Sequence, residues 1–359
     1  MKYRTYELLA AEDQTAGAGT KTIDIGGSQP ISRIVIQWII TKSVSYMMSY
    51  CHKDITKIEL VDGSDVLHSL DGGQNQALCI YDRRVQTMNH GQYIGANSQR
   101  SMYGIDFGRF LHDPLLAFDP TKFKNPQLKI TYDEDVSDTG NTANTLAVWA
   151  ECFDEKQISP IGFLSAKNFE SWSLSAAGAY HYVDLPTDRI IRKMLIQGYR
   201  SAYEPWYQVI GARLSEDNDK RVPFDWNLET YHQLRKGMDM PIKEDVVTQL
   251  EATDRALYLT PTNYWAGLVF QASDADGFIG VPYCGRGGYF LKNGSNASEA
   301  NGIAHGWLPN HCFQFPFGDQ QDIDDWYDVR ALNNLRLRLL SGSGTSGNVD
   351  TILQQLRLY

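Results

Sequence analysis

Thr22-Ile23-Asp24-Ile25, followed after a Gly/Pro turn by Ile31-Ser32-Arg33-Ile34-Val35-Ile36-Gln37, returns later in the chain as Tyr182-Val183-Asp184-Leu185 and Ile191-Arg192-Lys193-Met194-Leu195-Ile196-Gln197. Asp24 and Asp184 are 160 positions apart (184−24), as are Gln37 and Gln197 (197−37). The likeness resumes where Leu60-Val61-Asp62 faces Leu214-Ser215-Glu216 and Asp71 faces Asp225, 154 positions on (214−60, 225−71). It returns where Leu128-Lys129-Ile130-Thr131 faces Leu335-Arg336-Leu337-Arg338, 207 positions on (335−128). The chain therefore carries two tandem copies of one β-rich unit, too few for a solenoid, which stacks three or more.

Working outward, the strands alternate with turn residues. Thr20–Ile25 puts Ile23 and Ile25 on one face, Gly26–Pro30 turns, and Ile31–Thr41 is β-branched on both faces. Ile55–Val61 is stopped by Asp62-Gly63-Ser64. After Asp71-Gly72-Gly73, the run Gln74–Arg83 spaces Ala77, Leu78 and Tyr81 as a short helix, and Asn227–Lys236 is its counterpart. Gln127–Tyr132 alternates with Leu128, Ile130 and Tyr132 inward. Leu335, Leu337 and Leu339 do the same late in the chain. Each alternating strand is followed by a polar turn and a second strand (Thr145–Phe153, Val349–Tyr359), so each copy is expected to end in a long hairpin.

The spacing between the two copies grows by 53 positions (207−154) between Asp225 and Leu335, which marks an insertion at about 237–312. It contains Pro241–Ala252, read as a helix candidate, and the Gly/aromatic run Phe278–Phe290. Insertions of that length form surface loops or towers. The division that follows is an N-terminal arm at 1–19, a first unit at 20–158, a linker at 159–178 and a second unit at 179–359. Strands spaced by turns, little helix and no βαβ alternation give an all-β fold, with room for about eight strands per unit, the jelly-roll number.

Composition narrows the function. The 359 residues suffice for two cores, and 42% hydrophobic with 21% charged residues describes a globular chain. The net charge is −10 and no basic run exceeds two residues, which argues against direct nucleic-acid binding. Cys51, Cys79, Cys152, Cys284 and Cys312 are odd in number and widely spaced, without a CxxC, and predict free buried thiols. Residues 1–10 lack the apolar core of a secretory signal, so synthesis in a reducing compartment is expected. Asn293-Gly294-Ser295 and Asn296-Ala297-Ser298 match the glycosylation pattern but read as a Gly/Asn/Ser loop.

The tandem units, the short helix introduced by Asp71-Gly72-Gly73-Gln74-Asn75-Gln76-Ala77-Leu78, the closing strand pairs and the one larger insertion resemble the double jelly-roll major capsid proteins of the adenovirus and tailless icosahedral bacteriophage lineage. The resemblance covers 21–359 and lies in architecture rather than in a sharp motif. It implies two tandem eight-stranded jelly rolls and a non-enzymatic major capsid protein without cofactor. Three copies would form a pseudo-hexagonal homotrimeric capsomer that meets its neighbours laterally in the virion shell. Implied partners are minor capsid or vertex proteins and, in many such virions, an underlying viral membrane. The arm, with Tyr3, Tyr6, Leu8 and Leu9 as anchors, would reach under a neighbour.

Three competing readings remain. The first is a virion spike or vertex protein. The second is a carbohydrate-binding or glycan-cleaving double β-sandwich, in which Tyr264, Trp265, Tyr283, Tyr289 and Trp307 would stack on sugars. The third is a metal-dependent enzyme. No two of the eight histidines are separated by one residue, and His305 and His311 are the nearest pair in the insertion. Asp319, Asp322 and Asp324, with Asp325 and Asp328, are candidate oxygen ligands for a hard cation. They lack the Gly and terminal Glu of an EF-hand loop, and the segment also reads as a solvated acidic loop or the charged first turn of a short helix leading to Trp326. Asp274-Ala275-Asp276-Gly277 is a weaker case, and Gly285-Arg286-Gly287-Gly288 reads as a loop. No nucleophile elbow, P-loop or dinucleotide fingerprint occurs.

Overall fold

Period-two alternation dominates the chain, and the computed structural model turns it into twenty-two strands and two α-helices among the described residues. It describes residues 1–14, 17–42, 46–84, 89–93, 98–137, 141–249, 255–270, 287–292 and 299–359. The first unit runs β1 (Tyr3–Asp13), β2 (Ala18–Asp24), β3 (Ile31–Lys42), β4 (Ile55–Asp62), β5 (Asp65–Leu70), α1 (Gly72–Arg83), β6 (Asn89–Tyr93), β7 (Ser98–Asp106), β8 (Pro126–Asp133) and β9 (Asn141–Phe153). The second runs β10 (Gly162–Ser173), β11 (Tyr180–Leu185), β12 (Ile191–Tyr199), β13 (Val209–Glu216), β14 (Arg221–Asn227) and α2 (Leu228–Lys236). The insertion follows with β15 (Ile242–Gln249), β16 (Arg255–Tyr258), β17 (Pro261–Phe270), β18 (Tyr289–Lys292) and β19 (Glu299–Pro309). The unit then closes with β20 (Cys312–Pro316), β21 (Leu335–Ser341) and β22 (Asn348–Leu358).

The two units share one strand order. In the first, β1-β9-β3-β7 faces β2-β8-β4-β5; in the second, β10-β22-β12-β20 faces β11-β21-β13-β14. Replacing each strand of one series by its counterpart reproduces the other, with the helix in the same place. This is two eight-stranded jelly rolls. Ile34, Ile36, Trp38 and Ile40 of β3 and Leu128 and Ile130 of β8 meet in the first core, while Met194, Ile196, Leu335, Leu337 and Leu339 meet in the second. Each such side chain taken from water stabilises by roughly 1.5–3 kcal/mol before entropy is counted.

The units are not independent. β5 and β10 run side by side in parallel, Ser69 beside Lys167, so one sheet of the first roll continues into one of the second. The insertion returns to the first roll: β15 lies parallel to β6, and β19 and β17 extend the same sheet.

Four sequence expectations need correction. Residues 3–13 are not an arm. They form β1, antiparallel to β9 from Tyr3 beside Phe153 to Asp13 beside Thr145. Tyr3 stacks on His112 at 3.9 Å, and Tyr6, Leu8 and Leu9 pack on the first core, so the anchors serve their own unit. The 159–178 linker is mostly β10, joined to β22 along eleven registered pairs. The closing strand pairs are not hairpins, because β8 lies between β2 and β4 while β9 lies between β1 and β3 in the facing sheet, and β21 and β22 repeat this. In a jelly roll the connection crosses from one sheet to the other. Within Pro241–Ala252 lies the strand β15, whose alternating burial and paired Val246 and Val247 suit a pleat rather than a helix. The glycosylation patterns, Asp274–Gly277, Tyr283, Cys284, Gly285 and Arg286 lie outside the described residues.

Candidate functional site at the seam of the two units

Among the described residues, no group of three or more His, Cys, Asp or Glu side chains is placed to hold a metal ion. The acidic segment builds its own loop. Asp319 accepts from the Gln321 amide (2.9 Å), and Asp322 caps a single 3₁₀ turn by accepting from Asp324 N (3.1 Å). Asp325 accepts from Asp319 N (2.6 Å), and Asp328 pairs with Arg330 (2.7 Å). The turn ends at Trp326. The segment is thus a capped acidic turn in which the carboxylates of Asp319, Asp322 and Asp325 accept from backbone N–H groups, Asp328 pairs with an arginine and Asp324 is exposed.

The histidines and aromatics are scattered. His305 is exposed on β19, whereas His311 is buried and burial pulls it down to about 3. His232 is buried beside Asn263 (3.2 Å), and burial pulls it down to about 4. Tyr264 is fully buried with its hydroxyl on the Tyr289 carbonyl (2.7 Å), Trp307 lies under Lys236, and Trp265 is exposed.

The side chains that do converge line the seam, and α1 gathers them. Asp71 starts the helix with a capping box: its carboxylate accepts from Gln74 N (2.7 Å) and the Gln74 amide returns to Asp71 N (3.2 Å). The backbone approach leaves no room for side chains, since a Cβ on Gly72 would sit 2.4 Å from the His52 carbonyl oxygen and one on Gly73 2.9 Å from the His52 ring. One face of α1 serves its own unit: Asn75 accepts from Gly104 N (3.1 Å), Gln76 donates to the Met102 carbonyl (2.9 Å) and Cys79 donates to that of Gly104 (2.9 Å).

The other face reaches the second unit. Gln74 donates to Gln197 (3.1 Å), Tyr81 donates to the Cys312 carbonyl (2.6 Å), and Leu78 packs on Ala166, Leu195 and Ile352. At the last turn Asp82 meets Arg192 (2.8 Å) and Lys193 (2.6 Å) and accepts from the Gln354 amide (2.6 Å), with all three charged side chains almost fully buried. Burial works to raise the Asp82 carboxyl, but the two cations and the hydrogen bonds overcome it and hold it below the usual carboxylate range. Burial pulls the Lys193 ammonium down to about 8 against the attraction of Asp82. Such a group cannot lose one partner without stranding a buried charge, and it therefore fixes how the rolls sit on each other.

Sequence reasoning located α1 but not this role. The available signal was the run Gln74-Asn75-Gln76, three amides on a helix introduced by two glycines, which suits a buried polar face. The partners Arg192, Lys193 and Gln354 lie more than a hundred positions away, and no local pattern marks them.

No protein-family model and no curated protein matches the sequence. Solved structures do. The chain is similar to the major capsid protein of Sulfolobus turreted icosahedral virus (TM-score 0.61, 11% identity, covering 100% of this chain and 97% of that one). It is similar to the major capsid protein P2 of bacteriophage PM2 (TM-score 0.55, 10% identity, 99% and 98% covered) and to VP54 of PBCV-1 (TM-score 0.58, 9% identity, 99% and 93% covered). The fold is therefore that of these proteins, a double jelly roll along the whole chain, as the tandem repeat led one to expect.

Proposed function

We propose that the chain is a structural major capsid protein of an icosahedral virion, assembling as a homotrimer that presents six similar barrels and tiles the shell through lateral contacts. The observation that carries the proposal is the coincidence of extent: both rolls, in the same order, account for nearly all of this chain and nearly all of the PM2 and Sulfolobus virus capsid chains. A protein whose two halves share one strand order offers nearly the same outline twice, and three copies then offer it six times. The seam supports the reading, because a building block of a shell needs its two barrels held rigidly. The acidic balance of −10 also fits a shell layer that does not wrap the genome. Minor capsid or vertex proteins, and a membrane beneath the shell, are the partners such a layer would meet, and the virion is its place.

Size-exclusion chromatography with light scattering tests this. The expected particle has three times the 40.6 kDa mass of the chain. A stable monomer that binds or cleaves glycans would overturn the proposal.

A further inference from the structure

We infer that the join between the two rolls inside the chain is repeated between copies, with α2 of one copy seated on the outer face of β1, β9 and β3 of the next. This rests on the trimeric reading above and adds the residues of the seam.

The positions of the seam within the chain have one-to-one counterparts elsewhere on it. The intrachain seam has a small apolar cluster whose five buried members are Leu70, Leu78, Ala166, Leu195 and Ile352. Leu78 is the seventh residue after the cap Asp71, and Leu234 is the seventh after the cap Asn227. Leu70 stands beside Ile58 as Trp226 stands beside Ala212, the same place in the two units. Leu195 stands beside Ile352 as Val35 stands beside Trp149. Ala166 and Lys193 share Gln354 as a neighbour, just as Thr5 and Arg33 share Glu151. Every member of the buried cluster thus has a counterpart, and none of the counterparts is buried: Leu234 is 48% and Trp226 37% exposed, Thr5 is exposed, and Val35 and Trp149 are half-buried.

Two further observations point to a second copy as the occupant. The strands joined within the chain are β5 and β10, and their counterparts β14 and β1 both stand at the edges of their sheets among the described residues. One chain therefore carries the two complementary halves of a join it already makes once, a heterologous arrangement whose closed form is a ring. The charges also agree. α1 carries Asp82 for Arg192 and Lys193, whereas the residue equally far from the cap of α2 (238−227, as 82−71) is Met238, in the turn that follows the helix and 66% exposed. The counterpart of Lys193 is Arg33, which finds its carboxylate in its own unit at Asp106 (3.1 Å) and needs none from α2. The seam between copies accordingly has no counterpart of the Asp82 ion pair that the one within the chain contains.

Native mass spectrometry of the full chain, of Leu234→Asp and of Trp149→Asp, alone and mixed, tests the seam. Each variant alone is expected to lose the trimer and fly as a monomer. Their mixture restores one intact join per pair and is expected to give a dimer of one of each and nothing larger. A trimeric wild type with a trimeric Leu234→Asp overturns the seam while leaving the proposed function standing, and a mixture giving only monomer or like-with-like dimers overturns it too. A monomeric wild type removes the trimeric reading itself. Leu234 lies on the surface of the free chain, so its variant folds whether or not the inference holds, and a far-UV circular dichroism spectrum matching that of the wild type checks this.

Discussion

Asp82, in the last turn of α1, holds Arg192 of β12 with Oδ1 2.8 Å from Nη1, and the two side chains are 3% and 1% exposed. One residue belongs to the first roll and the other to the second, so a single buried ion pair, shared with Lys193, ties the two halves of the chain together.

Asp82→Ala leaves Arg192 and Lys193 buried without a counter-charge and is expected to cost about 3–5 kcal/mol, read as a drop in the denaturation midpoint. Replacing the pair by apolar residues of like volume is expected to recover most of that loss, since the desolvation cost disappears with the charge.

The two equivalent leucines are expected to answer differently. Leu78→Ala empties a site in the buried cluster and should destabilise the chain by about 2–5 kcal/mol. Leu234→Ala, at an exposed position, should stay within about 0.5 kcal/mol in the dissociated chain. Urea unfolding of dilute protein distinguishes them.

Gly72→Ala brings a methyl group to 2.4 Å from a carbonyl oxygen of a neighbouring segment. Backbone cannot swing aside as a flexible side chain can, so α1 must shift away from His52. The expected result is loss of the tight seam, seen as faster amide exchange along α1 than in wild type. Gly63→Ala, where a Cβ meets open space, bears only the strain of its positive φ of 62° and should leave α1 exchange unchanged.

Glu244 sets a pH dependence. Burial pushes its carboxyl up to about 7, against a hydrogen bond from Thr260 N (2.6 Å). Between the unfolded value near 4.5 and about 7 the folded chain binds more protons than the unfolded one, so stability falls as pH rises through that window, by on the order of 3 kcal/mol. Glu244→Gln should flatten the profile between those limits and leave the wild-type protein the more pH-sensitive of the two.

The residues explain why part of this was legible in the sequence and part was not. Strands with one dry face announce themselves: Leu128, Ile130 and Tyr132 alternate cleanly, and so do Leu335, Leu337 and Leu339. The repeat Ile31–Gln37 against Ile191–Gln197 marks equivalent central strands, which is why the doubled fold could be read. The same strand was missed in both units, β1 and β10. The first half of β10, Gly162–Ala166, is buried on both faces, Phe163 in the first unit's core and Ala166 against Leu78 of α1, so it has no alternation. β1 is an edge strand with no fully buried residue, and register shifts against β9 on either side of Leu9 break the alternation of its apolar residues. Crossing connections escaped for another reason, since adjacency in sequence favours a hairpin and only the closing of two facing sheets sends β8 and β9 apart. The ionic centre at Asp82 depends on contacts between residues 110 and 272 positions away, which no local pattern encodes.

Negative-stain electron microscopy of the purified chain tests the central claim most directly. Two equivalent rolls per chain and a repeated seam predict class averages of a closed ring with six lobes of nearly equal size and threefold modulation from the insertion. Averages of isolated two-lobed particles, or of rings with another number of lobes, would contradict it.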